Sequence, residues 1–179
     1  MLPALTAYVV IPLYTVLFAC GSHWLDTNFS VLGSQPGREE AFVLWGLIVG
    51  IFFFWSLRRI IGGMPRRPRF CFLVPLALLL LVFAVTTPYL PERLPLKSFL
   101  HILFAFLAAV CLGGILLSVV LTLYRGDRRG YRRYLQFLLA SFAVCAWLFL
   151  LAGIVSSALE IFFTISMTLL TYRLYRKLA

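Results

Sequence analysis

The chain has 179 residues, of which 63% are hydrophobic, 16% aromatic and only 12% charged, a balance that leaves too little polar surface to clothe a water-soluble globule. Its 16 Lys+Arg against 6 Asp+Glu give a formal net charge of +10. These cations stand in short bursts between apolar runs and not on one solvated face, which argues against a nucleic-acid partner and for membrane topology.

Crossing a hydrocarbon layer of ~30 Å takes roughly 20 apolar residues. Six stretches meet or approach that length: Ala4–Cys20, Phe42–Ser56, Phe70–Thr86, Phe99–Tyr124, Tyr134–Val155 and Leu159–Tyr172. The expected fold is therefore all-α, a polytopic membrane protein in which six transmembrane helices form one bundle and residues 1–179 one domain. Pro12 and Pro75 fall inside the first and third runs, where the missing N–H favours a kink or a packing irregularity. The first run lacks a basic leading segment and a small-x-small cleavage site, so it reads as a retained span and not a signal peptide.

Orientation follows from the cations. The connection "RRIIGGMPRRPR" holds five Lys+Arg, "RGDRRGYRR" five and the tail "RLYRKLA" three, so thirteen of the 16 gather on one side. By the positive-inside rule that side is cytoplasmic, as are both termini, and in a bacterium the host membrane would be the cell membrane. The same clusters are suited to anionic lipid headgroups.

The acids follow the opposite pattern. Asp26, Glu39, Glu40, Glu92 and Glu160 fall on the outer side and Asp127 alone on the basic side, and both histidines, His23 and His101, are outer as well. Titratable chemistry is thus concentrated at the outer face. Asp26, His101 and Glu160 are the principal lipid-binding or substrate-binding candidates, with His23 and Asn28 beside them in "SHWLDTNFSVLG", Ser22 to Gly33. Each also has a plainer reading. Ser157 and Glu160 in "SALE" match a capping box, His101 can be a hydrogen-bonded packing residue, Asp26 a solvated loop acid, and Trp24 part of an interfacial aromatic belt. "NFS" at Asn28 is also a glycosylation tripeptide.

Chemistry of other kinds is thinly represented. Ser22 or Ser30 could be combined with His101 and Asp26, although no serine is marked as activated. His23, His101, Asp26 and Glu160 could supply zinc ligands from different spans, yet two scattered histidines do not make a metal motif, and neither a metal nor a cofactor is expected. Cys20, Cys71, Cys111 and Cys145 have no CxxC spacing and read mainly as small hydrophobes. Nucleotide-binding and hydrolase signatures are absent from the sequence. No span carries a polar stripe along its length, which ranks a channel last. Gly46 and Gly50 form a GxxxG that permits close helix approach.

"WLDTNFSVLGSQPGREEAF", "FLHILFAFLAAV" and "SALEIFFTISMTLLTYRLY" together resemble the six-span superfamily of damage-regulated autophagy modulators and the GPI-lipid-remodelling factors related to the FGF-receptor-activating protein. The resemblance rests on Asp26, on Pro36 followed by Glu39 one place later than the family's Pro-x-Glu, on His101 opening the fourth span, and on Glu160, Thr171 and Tyr172 in the last. Ile161 stands where the family has an aromatic, and "DTN" replaces its Asp-Thr-Gly. The resemblance implies a lipid-related membrane function at the outer leaflet, by binding, remodelling or organising lipids. The competing expectation is a non-catalytic accessory subunit of a membrane complex, with a membrane-protein partner, in which the outer polar residues only cap helices.

Overall fold

The computed structural model describes residues 2–178, and every regular element among them is helical. Helix α1, Leu2–Phe18, buries Ala7, Ile11 and Thr15 completely and Phe18 nearly so, a stripe at helical spacing turned to the bundle. Pro12 shapes it: the proline ring cannot accommodate the carbonyl four residues earlier, and the turn before it, Thr6–Val10, widens so that the Ile11 N–H donates to the Thr6 carbonyl five residues back.

A short helix α2, Phe29–Gly33, sits in the loop that follows and leads into α3, Glu39–Gly62. Next come α4, Leu73–Thr86, α5, Pro95–Gly126, α6, Arg128–Ala152, and α7, Ser157–Leu178. Among them α3, α5 and α6 are long and apolar enough to cross a membrane, while α1 and α4 are shorter apolar helices.

Most helices run past the expected apolar runs into polar residues, as α6 does back to Arg128 and α7 on to Leu178, and two boundaries move inward at a single residue. Helix α4 begins at Leu73 and not Phe70, because Phe70 has φ 65° and the chain turns there. Pro75 then falls in the first turn of α4, where the missing N–H breaks no intrahelical bond, so it does not kink the span. Helix α6 ends at Ala152 and not Val155, because Gly153 takes φ 70° and donates its N–H to the Phe149 carbonyl, a left-handed cap.

The helices follow one another round the bundle, and α7 closes it by packing on α6, α1 and α3. The aliphatic centre holds Leu57, Ile60, Ile115, Leu116, Val119, Leu138, Met167, Leu170 and Leu174, each at most 1% exposed. Between helices in hydrocarbon such side chains stabilise by close van der Waals packing and not by leaving water, which requires close helix approach. Gly46 and Gly50 supply that approach within the chain: a Cβ on Gly46 would lie 2.5 Å from Val85 Cγ1, and one on Gly50 2.9 Å from Leu78 Cδ1. By contrast, α6 turns Trp147 and Leu150 outward at 60% and 79% exposure, an apolar surface suited to hydrocarbon.

At the basic end, Asp127 caps α6 by accepting from the Gly130 N–H at 2.9 Å. Lys177 Nζ donates to the Gly130 carbonyl at 2.8 Å and lies 3.9 Å from the Tyr131 ring centroid, tying the last turn of α7 to the start of α6.

Candidate functional site

The end of the bundle opposite the arginine clusters has an aromatic core. Phe29 of α2 is wedged edge-on between Phe18 of α1 and Trp45 of α3, with ring centroids at 5.1 and 5.0 Å, and Phe42 stacks on both Phe18 and Trp45. Trp45 needs a partner for its indole N–H when buried, and it donates to Thr15 Oγ1 at 3.0 Å. Gly33 lets α2 lie against α3, since a Cβ there would sit 2.6 Å from Phe42 Cγ. Asn28 starts α2: its Oδ1 accepts from the Val31 N–H at 2.9 Å.

Two side chains from distant parts of the sequence grip consecutive residues of this small helix. Glu160 of α7 accepts from the Phe29 N–H at 2.7 Å through Oε2. His101 of α5 places Nε2 2.7 Å from Ser30 Oγ, and its Nδ1 2.8 Å from the Thr87 carbonyl oxygen at the end of α4. A carbonyl can only accept, so in the neutral imidazole Nδ1 carries the hydrogen and Nε2 accepts from the Ser30 hydroxyl. Phe42 and Tyr89 flank the imidazole with centroids 6.1 and 5.6 Å away. His101 is 1% exposed, whereas Ser30 is half-buried.

The expected capping box does not form. Ser157 Oγ is buried without a partner, and the hydroxyl at the start of α7 comes from Ser156, whose Oγ lies 3.5 Å from the Leu159 nitrogen. The free amides of the helix start go to the loop instead. The Ser157 N–H donates to the Thr27 carbonyl at 2.7 Å and the Ala158 N–H to the Trp24 carbonyl at 2.9 Å. With its own helix start supplied by the loop, Glu160 reaches across to Phe29.

Other candidates stay apart from this pair. Asp26 and His23 are exposed and belong to one turn, in which the Asp26 N–H donates to the His23 carbonyl. No hydrogen bond among the described residues ties the Asp26 carboxylate to His101 or Glu160, so the expected convergence of three groups reduces to two. Asn28 is occupied as a cap, and the Ser30 hydroxyl of its tripeptide is committed to His101. Among the described residues no group of three His, Cys, Asp or Glu could hold a metal ion, so the zinc arrangement does not assemble. All four cysteines are free thiols.

Sequence reasoning offered Ser30 and Ser22 equally as partners of His101, and the structure selects Ser30; the Thr87 carbonyl and Phe29 amide carry no sequence signal. Chemically, a serine hydroxyl aimed at an imidazole whose other nitrogen is held by an acceptor has the order nucleophile, base, orienter. The orienter here is a carbonyl and not a carboxylate, which gives less stabilisation to an imidazolium. The cavities of about 350 and 300 Å³ lie at the opposite, basic end of the bundle, and neither is lined by Asp26, His101 or Glu160. No family model, no curated protein and no solved structure matches the chain.

Proposed function

We propose that this is a six-span membrane protein with both termini cytoplasmic, and that it handles lipids of the outer leaflet at the Ser30–His101 pair. The two short helices are compatible with spanning: at 1.5 Å per residue α1 is about 25 Å long and α4 about 21 Å, lengths that snorkelling and local thinning accommodate. Helix α7 needs less apolar character because its Thr164, Thr168 and Thr171 face the bundle interior, buried. The gathering of thirteen of the 16 Lys+Arg at one end supports the orientation, and the resemblance to the autophagy-modulator and GPI-lipid-remodelling superfamily supports a lipid role.

One observation carries the reading: the half-buried Ser30 hydroxyl, bonded to His101, lies on a loop whose Trp24, Leu25 and Val31 are exposed apolar residues. A polar group within an apolar rim suits a lipid whose headgroup lies at interface depth. A second reading, a non-catalytic accessory subunit, is favoured by the way His101 and Glu160 both satisfy the loop, which is what residues that only hold a loop in place would do.

Lipid analysis of the gently purified protein separates the two. Ser30→Ala and His101→Gln are expected to lose a co-purifying polar lipid while remaining monodisperse, and Asp26→Asn, outside the pair, to lose it only partly. Wild-type lipid content in both pair variants would leave the accessory reading as the function.

A further inference from the structure

We propose that the groove between the basic ends of α3 and α4 is a binding site for one anionic glycerophospholipid, its phosphate held between Arg58 and Arg67. This site is independent of the outer-face reading. The cavity, about 350 Å³, has apolar walls from Phe54, Ile61, Val74 and Pro75, with the two arginines at its rim, and a volume in the usual range for a small-molecule site.

Phe54, Arg58, Ile61 and Gly62 recur at helical spacing and so share one face of α3, while Val74 and Pro75 open α4 across from it. Arg58 is positioned, not merely present: its guanidinium carbon lies 5.5 Å from the Phe54 ring centroid, and the residue also borders the neighbouring cavity of about 300 Å³. Arg59 beside it stacks over Trp55 at the same distance, 5.5 Å.

Charge complementarity identifies the occupant. The sequence contains no acidic residue between Glu40 and Glu92, and the single acid at the basic end, Asp127, is spent as a helix cap. The arginines of this connection therefore have no carboxylate of their own segment to answer them. A phosphodiester matches the forked guanidinium, and the apolar walls match the first part of an acyl chain. Phe70 and Phe72, exposed at 58% and 61%, stand on the same connection in the manner of interfacial aromatics, which sets the groove at headgroup depth.

The test uses the full-length protein, delipidated in detergent and titrated with short-chain phosphatidylglycerol or phosphatidylcholine under native mass spectrometry. Phosphatidylglycerol is expected to bind one per chain with clear preference. The pair Arg58→Gln and Arg67→Gln should weaken it about thirtyfold, at ~1 kcal/mol per arginine. The pair Arg128→Gln and Arg129→Gln removes the same charge from the first turn of α6 and should leave binding unchanged. Gly62→Leu keeps every charge but intrudes into the groove, in a position where an added Cβ meets nothing within 4 Å, so folding should be kept and binding lost.

Absence of headgroup preference would overturn the proposal. So would equal losses in the two arginine pairs, which would mean diffuse attraction, or undiminished binding in Gly62→Leu, which would mean no groove. Binding of inorganic phosphate as tightly as phosphatidylglycerol would remove the acyl chain from the site and overturn it as well.

Discussion

Removing the Glu160 carboxylate tests the outer network at its most exposed assumption, that a side chain of the last helix holds the first loop. In Glu160→Ala the Phe29 N–H loses its acceptor, and Phe29 is 1% exposed, so water cannot readily replace the bond. A buried donor left unpaired costs about 1–3 kcal/mol. Taking about 2 kcal/mol, local opening of the loop becomes roughly thirtyfold more frequent. Hydrogen–deuterium exchange in detergent reads this directly: the amides from Trp24 to Leu32 should exchange faster by about that factor, while those of the α3 and α5 interiors hold their wild-type rates. Glu160→Gln retains an oxygen acceptor and should stay close to wild type. Exchange in Glu160→Ala within about twofold of wild type across the loop would refute the reasoning, because the bond would then contribute nothing to holding α2.

Packing and topology give two further expectations. Gly33→Ala and Gly46→Ala each place a Cβ within 2.6 Å of a neighbouring side chain, and overpacking of this kind costs about 1–3 kcal/mol; both should unfold at lower temperature in detergent, whereas Gly62→Ala, with open space around it, should not. For orientation, the exposed native Cys20 should react with an impermeant maleimide in intact cells, and a cysteine at Arg66 or Arg129 should react only after permeabilisation. The reverse pattern would overturn the orientation and the leaflet assignments that rest on it.

Much of the helical layout was legible because apolar runs and arginine bursts are local signals. Phe42–Ser56 and Phe99–Tyr124 lie wholly inside α3 and α5. At two of the ends that moved the cause was a single backbone angle, the positive φ of Phe70 and of Gly153, which composition does not reveal; elsewhere the helices run on into polar and charged residues, as α6 does back to Arg128 and α7 on to Leu178. At the end opposite the arginine clusters, sequence could nominate His101 and Glu160 from their cost near hydrocarbon, but not their partners. Glu160 is 131 residues from the amide it holds, and "SALE" offered a local alternative that satisfies every spacing rule. The choice of Ser30 over Ser22 as the partner of His101 was illegible for a similar reason: the imidazole comes from α5, and the packing of Phe29 on Phe18 and Trp45 sets α2 at the height to meet it.

The junction between the first loop and α7 has an evolutionary corollary. Because the amides of Ser157 and Ala158 are satisfied by the carbonyls of Thr27 and Trp24, the start of the last helix reads the path of the loop's backbone and is indifferent to most of the side chains along it. Lengthening or shortening the segment between Gly21 and Asn28 by one residue would shift both carbonyls out of register together, whereas exchanging its residues one for another would leave them where they are. Length in this stretch should therefore be held more tightly than spelling, Trp24 apart, whose indole N–H is bonded to the Ala19 carbonyl, so that related chains would be aligned there first by counting residues.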